Sequence, residues 1–292
     1  MGRVEVLKTY KIYIGGAFPR TESGRYYTPG GKNPLGNICL SSRKDVRNAV
    51  VAARNAVGKW DGKSAYNRSQ ILYRIAEMLE GRKVQFIDEL IIQGASKAKA
   101  AKEVDQSIDR IIYFAGWCDK YQQVFSAVNP VASSHFNFTA PEAMGVVNIV
   151  CPEESGLLGL VSSIMPVIAS GNTCVALASE NLPLCAITFA EVLDSSDVPG
   201  GVVNILTGKR EELVSHMATH MDVNGLLYYG EDKSEIKEIK TLSVENLKRV
   251  SVHSSDSINT ADAESPYLIE DFVEMKTTWH PIEVIAGACS GY

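Results

Sequence analysis

No CxxC pair occurs among the six cysteines (Cys39, Cys118, Cys151, Cys174, Cys185 and Cys289), which lie far apart in the chain. That spacing argues against structural zinc and makes the reduced thiols of a cytoplasmic protein the default. No apolar run approaches the ~20 residues a helix needs to cross a bilayer, so no membrane span is expected. The amino terminus, MGRVEVLKTYK, lacks the apolar stretch of a secretory signal. Gly2 would suit myristoylation, but that motif needs Ser or Thr where Val6 stands. Basic excess is missing too. The 29 Lys and Arg against 34 Asp and Glu leave a net charge of −5, the reverse of a nucleic-acid footprint. There is no internal repeat, no low-complexity tract, no G-x-S-x-G elbow and no GxGxxG loop.

What is present is an ordinary globular composition, 45% hydrophobic and 22% charged, in 292 residues. At roughly 150 residues per domain, that length suggests about two domains. KIYIGGAF (Lys11 to Phe18) is read as a strand ending in a Gly-Gly turn. Val46, Val50, Ala53 and Val57 recur at helical spacing up to a break at Asp61-Gly62, and a second helix carries Ile71, Leu72, Ile75 and Leu79. Helical pattern continues through Phe86 to Ile92 and Ala101 to Tyr121, where Ile111, Ile112, Phe114 and Ala115 are expected to bury one face.

From Val128 the period changes. A hairpin leads into a buried strand at Gly145 to Val150, and strands at Thr173 to Leu177, Val202 to Leu206, Gly225 to Tyr229 and Arg249 to Val252 then alternate with helices. Apolar strands spaced by amphipathic helices predict an α/β fold with a doubly wound, Rossmann-type parallel sheet. The expected organisation is an amino-terminal helical part over 1–127 and a β-flap or oligomerisation element formed by 128–144 and 266–292. A Rossmann-like part occupies 145–253, with a polar connector over 254–265.

GVVNIVCPEE, MPVIASGNTCVALASENLPL, VPGGVVNILTG, THMDVNGLLYYG and LKRVSV resemble, in order, the blocks of the coenzyme domain of the aldehyde dehydrogenase superfamily. KIYIGG, AARNAVGKW and YFAGWCDK are similar to its amino-terminal elements, and DFVEMKTTW to its carboxy-terminal oligomerisation strand. In that superfamily a catalytic domain with the nucleophilic cysteine lies between the coenzyme domain and the final strand. Here only the short connector stands there. The resemblance places the family's base glutamate at His253 and its oxyanion-donating Asn at Glu154, and a carboxylate accepts where an amide would donate. No catalytic residue is therefore assigned.

By the same resemblance, the ribose-binding lysine falls at Leu177 and the ribose-binding glutamate survives as Glu180. The Gly-Ser pair beside the pyrophosphate becomes Gly230-Glu231, followed by Asp232. Glu180 and Gly230 are the candidate cofactor residues. Carboxylates at a helix amino terminus oppose a bound anion, so no cofactor is expected, and NAD(P) would bind only weakly. Lys209 and Lys233 are the nearby cations that could offset them.

The layout resembles the second, non-catalytic module of bimodular aldehyde dehydrogenases. That implies a structural role in a homo-oligomer, a dimer, or in an assembly with a full-length aldehyde dehydrogenase. Ser134 to Ala140 and Phe272 to Trp279 are the expected pairing edges, with Phe136, Phe138, Phe272 and Trp279 as anchors or as fillers of the chain's own core. The alternatives are an NAD(P)-dependent aldehyde oxidoreductase with a degenerate site and a nucleotide-binding regulator without turnover.

Three other constellations carry less. His216 and His220 stand four apart on a helix but lack a third ligand, so no metal is assigned. Cys151, beside Glu153 and Glu154, is read as a buried structural thiol whose carboxylate neighbours raise its pKa. His253, beside Ser254 and Ser255, is read as solvated, and the Glu231-Asp232 pair as a self-supplied helix cap.

Overall fold

The computed structural model describes residues 6–30 and 35–282, so Gly2, Cys289 and the part of the flap assigned beyond Ile282 lie outside the described residues. Three short strands come first: β1 (Thr9–Tyr10), β2 (Tyr26–Tyr27) and β3 (Asn37–Cys39), with β3 in the middle. The expected strand from Lys11 to Phe18 does not form. Gly15 and Gly16, at φ +65° and +82°, turn the chain back, so that only the bridges Tyr13 to Ile205 and Ile14 to Ala17 occur there.

Helix α1 (Arg43–Asp61) begins where the Asp45 carboxylate accepts from the backbone N–H and hydroxyl of Ser42, and it ends at Gly62. It buries Val46, Ala49, Val50, Ala53, Ala56 and Trp60, whose indole N–H donates to the Ile168 carbonyl at 2.9 Å. Helices α2 (Ala65–Gly81), α3 (Lys83–Ile92), α4 (Lys97–Trp117) and α5 (Tyr121–Phe125) follow. In α4 the buried stripe is Val104, Ile108, Ile111, Phe114 and Ala115, at the three- and four-residue spacing of one face. Ile112 is not part of it. One residue past Ile111 the helix has turned about 100°, and Ile112 is 42% exposed.

Strands β4 (Ala127–Asn129) and β5 (His135–Ala143) open the flap. The central sheet then runs through β6 (Val146–Val150), α6 (Leu158–Ala169), β7 (Thr173–Leu177), α7 (Leu184–Asp194) and β8 (Val203–Leu206). It continues through α8 (Arg210–Thr219), β9 (Gly225–Tyr229), α9 (Lys233–Leu242) and β10 (Arg249–His253). The five strands are parallel in the order β10-β9-β6-β7-β8. Every residue of β6, β7, β8 and β9 is buried, as strands covered by helices on both faces must be. Each large apolar side chain so placed stabilises the fold by about 1.5–3 kcal/mol before the entropy cost. The chain leaves β6 toward β7 and β8 and returns on the other side as β9 and β10. The topological switch point, where such sheets bind ligands, is therefore between the carboxyl ends of β6 and β9.

Residues 254–265 carry two short 3-10 helices, Ser255–Asn259 and Ala261–Ala263, and they are strapped down. Ile258 and Ala263 are buried, and the buried Arg110 of α4 donates to the Ile258 carbonyl at 3.4 Å while its Nε lies 3.6 Å from Glu264. After α10 (Tyr267–Glu270), strand β11 (Val273–Pro281) pairs antiparallel with β5 along its full length. The flap sheet is ordered β11-β5-β4. Within the expected edge Ser134 to Ala140, β5 is flanked on both sides from Asn137 to Thr139 and paired with β11 alone at His135, Phe136 and Ala140, while β4 and β11 are the outer strands of the sheet. Phe272 is buried in the main core, Phe138 is half-buried, and Phe136 and Trp279 are 45% and 56% exposed.

Candidate functional site

The switch-point crevice is a cavity of about 320 Å³ at the carboxyl ends of β6 and β9. Its lining carries the carboxylates Glu153, Glu154, Glu231, Asp232, Glu235 and Asp256 and a single cation, Arg210. A groove between α8 and α9 shares Arg210, Asp232 and Glu235 with it and adds Glu211 and Glu238.

Arg210 reaches inward because Gly208 and Lys209 end the turn after β8 and start α8 close beside the crevice. Its guanidinium donates to the carbonyls of Cys151 and of Tyr229 (3.3 Å), the backbone oxygens at the ends of β6 and β9. It also lies over the Tyr228 ring at 5.6 Å. Arg210 Nε stands 2.8 Å from Glu153 Oε1, with both side chains only 18% exposed. Neither of those two atoms has a directed hydrogen bond, so the contact is one of charge. The other oxygen of Glu153 is saturated. It accepts from the Ser179 hydroxyl (3.0 Å), the N–H groups of Glu180 (2.9 Å) and Asn181 (3.2 Å), and the Asn181 amide (3.2 Å). One carboxylate thus takes the free donors of the loop after β7.

The neighbouring helix starts are filled in the same way. Glu103 of α4 accepts from the Ser155 hydroxyl and from the N–H groups of Leu157 and Leu158, at 2.8, 3.0 and 3.2 Å, where α6 begins. Asp232 caps α9, accepting from the N–H groups of Ser234 and Glu235, and its hydrogen bonds with Ser234 pull its pKa below the usual carboxylate range. Glu231 accepts from Ser254 at 2.6 Å, and Tyr228 donates to Glu235 at 2.6 Å.

The two predicted cofactor residues are not brought together around one cavity. Gly230 lines the crevice, and a Cβ there would stand 2.6 Å from the Tyr228 hydroxyl. Glu180 lies on the loop after β7, outside that lining. Its carboxyl is pushed up by burial, with Glu153 adding to the shift, and its carbonyl accepts from Tyr27 at 3.2 Å. Leu177, the position of the family's lysine, is 1% exposed in the core. Lys209 turns outward to Glu211 at 3.5 Å.

Cys151 is buried, and its thiol is pushed up to about 12. The main cause is desolvation, not the carboxylates expected from sequence, and Arg210 opposes the shift. His253 is not simply solvated. Its Nε2 lies 3.0 Å from Asp271 and its ring packs against Tyr229 at 5.5 Å. His216 and His220 are half-buried at the end of α8 with Arg43 and Arg47 beside them, and no metal-ligand cluster occurs among the described residues.

Arg210, Glu153 and Glu103 are the site residues that sequence reasoning misses. The only local signal is the Lys-Arg pair directly after the turn that follows β8. Among the described residues no helix is long and apolar enough to cross a membrane.

Residues 19–256 match the family model described as "Aldehyde dehydrogenase family". Cytosolic 10-formyltetrahydrofolate dehydrogenase of Mus musculus is 32% identical over 251 residues, which cover 83% of this chain and 28% of that protein. The putative aldehyde dehydrogenase DhaS of Bacillus subtilis (strain 168) is 30% identical over 252 residues, 84% of this chain and 50% of that one. The chain therefore spans between about a quarter and a half of the length of these relatives. Among solved structures, HpcC from Thermus thermophilus superposes with a TM-score of 0.79 at 26% identity, over 84% of this chain and 48% of that one. The NAD+ complex of aldehyde dehydrogenase from Bacillus cereus superposes with a TM-score of 0.80 at 24% identity, over 85% and 51% of the two chains.

Proposed function

The chain belongs to the aldehyde dehydrogenase family, and from that premise we propose that it is a catalytically silent module whose role is assembly through its flap. The observation that carries the proposal is the Glu153–Arg210 pair seated in the switch-point crevice. The groups that would receive a ligand there are already bound to the chain's own side chains.

A dinucleotide is the cofactor that this fold suggests, and NAD+ is what the structurally similar Bacillus cereus protein holds. The residues here do not fit it. A pyrophosphate approaching α9 meets Glu231 and the capping Asp232, and the only lining cation is spent on Glu153 and two carbonyls. No chemical step is derived through it.

Three further observations support silence. The thiol of Cys151 is buried and held protonated, His253 is tied to Asp271, and Glu154 offers no hydrogen-bond donor. Between β10 and β11 stand only two short 3-10 helices and the four-residue α10, where the resemblance to the family would require a catalytic domain.

Assembly is supported by the other sheet. β4 and β11 each leave one backbone edge unpaired within the described residues, and Val128, Phe136, Met275 and Trp279 are exposed beside them. A second copy of the chain, or a full-length relative, is the proposed partner.

Sedimentation velocity tests assembly, with a dimer or larger species expected and a strict monomer that also fails to capture a full-length relative contradicting it. Calorimetry with NAD+ and NADP+ tests the crevice. No heat is expected at millimolar cofactor, whereas saturable heat with aldehyde turnover would favour the oxidoreductase and saturable heat without turnover a nucleotide-binding regulator.

A further inference from the structure

At the end of α8 remote from the crevice lies a separate cavity of about 340 Å³, between the start of α1 and the last turn of α8. Arg43 and Arg47 stand one turn apart on α1, and His216 and His220 one turn apart on α8, so each pair shares a helix face. The nearby carboxylates are already engaged. Glu212, one turn before His216, pairs with Arg25 at 2.7 Å, and Asp222 pairs with Arg54 at 2.7 Å. Asp45 closes the start of α1 and accepts from the Glu22 N–H at 3.0 Å, and Glu22 itself pairs with Lys44 at 2.6 Å.

Among the described residues Arg43 and Arg47 have no ion pair and no side-chain hydrogen bond, while these four carboxylates are spoken for. The ammonium of Lys248, outside the cavity lining, donates to the backbone carbonyls of His220 (3.0 Å) and Val223 (3.2 Å). His220 Nδ1 accepts from the Asp222 N–H at 3.3 Å, so in its neutral form His220 carries its proton on Nε2 and donates from there.

We propose that this cavity binds the phosphate of a small soluble phosphate monoester, with the guanidinium forks of Arg43 and Arg47 as its main donors and His216 and His220 as secondary ones. Paired guanidinium forks match the several oxygens of a phosphate dianion better than they match a single carboxylate. The cavity shares no lining residue with the dinucleotide crevice, so the inference stands whatever binds there.

The test is NMR of the histidine ring protons in the full chain at pH 7. It is titrated with inorganic phosphate and with glycerol 3-phosphate, against sodium chloride of matched ionic strength. Saturable shifts of His216 and His220, with His253 unmoved, are the expected result. Arg43→Ala and Arg47→Ala should each weaken binding about tenfold, the worth of one charge-assisted hydrogen bond.

Non-saturating shifts equal to those in chloride would overturn the proposal, as would saturable shifts unchanged in the Arg43→Ala/Arg47→Ala variant. A response only to vesicles containing phosphatidic acid would also overturn it, because the ligand would then be a membrane surface.

Discussion

The two larger sheets of this molecule treat their unsatisfied groups in opposite ways. In the five-stranded parallel sheet the strands β6 to β9 are wholly buried, and the donors and carbonyls at its carboxyl edge are taken by Glu153, Arg210, Glu103 and Asp232. In the three-stranded flap the outer edges of β4 and β11 have no partner strand within the described residues, and aromatic side chains stand exposed beside them. In a working dinucleotide enzyme the crevice would be the open site and its helix starts would await an anion.

The comparison predicts that equal truncations in the two sheets differ in kind. Trp60→Ala, which empties a fully buried site and loses the bond to Ile168, should cost about 3–5 kcal/mol in denaturant unfolding. Trp279→Ala should change the stability of the isolated chain by no more than about 0.5 kcal/mol. A large stability loss from Trp279→Ala would mean that the flap aromatics fill the chain's own core.

A smaller effect is expected at the crevice. Arg210→Ala leaves the Glu153 carboxylate mostly buried without its countercharge and should cost about 2–3 kcal/mol, below a fully enclosed pair because both groups retain some exposure. Arg210→Met with Glu153→Leu should not recover that loss, because the donors of Ser179, Glu180 and Asn181 and the carbonyls of Cys151 and Tyr229 then lose their partners as well. Thermal melts of the two variants beside the parent chain check this. An unchanged Arg210→Ala would show that the pair is water-screened and the crevice open.

Smaller again is the alkaline response. Burial raises the thiols of Cys118 and Cys151 from the ordinary 9.0 to about 12, and raises those of Cys174 and Cys185 as well. Groups raised in the fold contribute stability below their unfolded pKa and lose it as pH climbs toward the folded value. Lys248 acts in the opposite sense. Burial lowers it to about 8, so stability is gained as pH rises from there toward 10.5, limited by the three oxygens that hold its ammonium. Four thiols against one lysine should give a net loss of roughly 1–3 kcal/mol between pH 8 and pH 10, read from melting temperatures. A rise over that range would show that Lys248 outweighs the thiols.

The parallel sheet was legible in the sequence because strands buried on both faces read as unbroken apolar runs between amphipathic helices. Thr173–Leu177 and Gly225–Tyr229 have the boundaries expected from pattern alone. Local pattern failed where long-range geometry decides. Lys11 to Phe18 has strand composition, but its paired glycines turn it back so that it docks on β8 at a single bridge. β5 looks like an edge in sequence and is central in space, because β11, more than a hundred residues away, lies along it. Arg210 carries no motif. Its role follows from contacts with Cys151 and Glu153, near the end of a strand formed more than fifty residues earlier.

The proposed function requires that the chain associates through its flap. Sedimentation equilibrium of the full chain beside its Phe136→Ser/Trp279→Ser variant tests it most directly. A dimer or larger species is expected for the parent chain. The variant should stay folded and associate at least about thirtyfold more weakly, the loss of one interface anchor. Equal association of the two proteins, or a parent chain that remains monomeric and captures no full-length relative, would contradict the account.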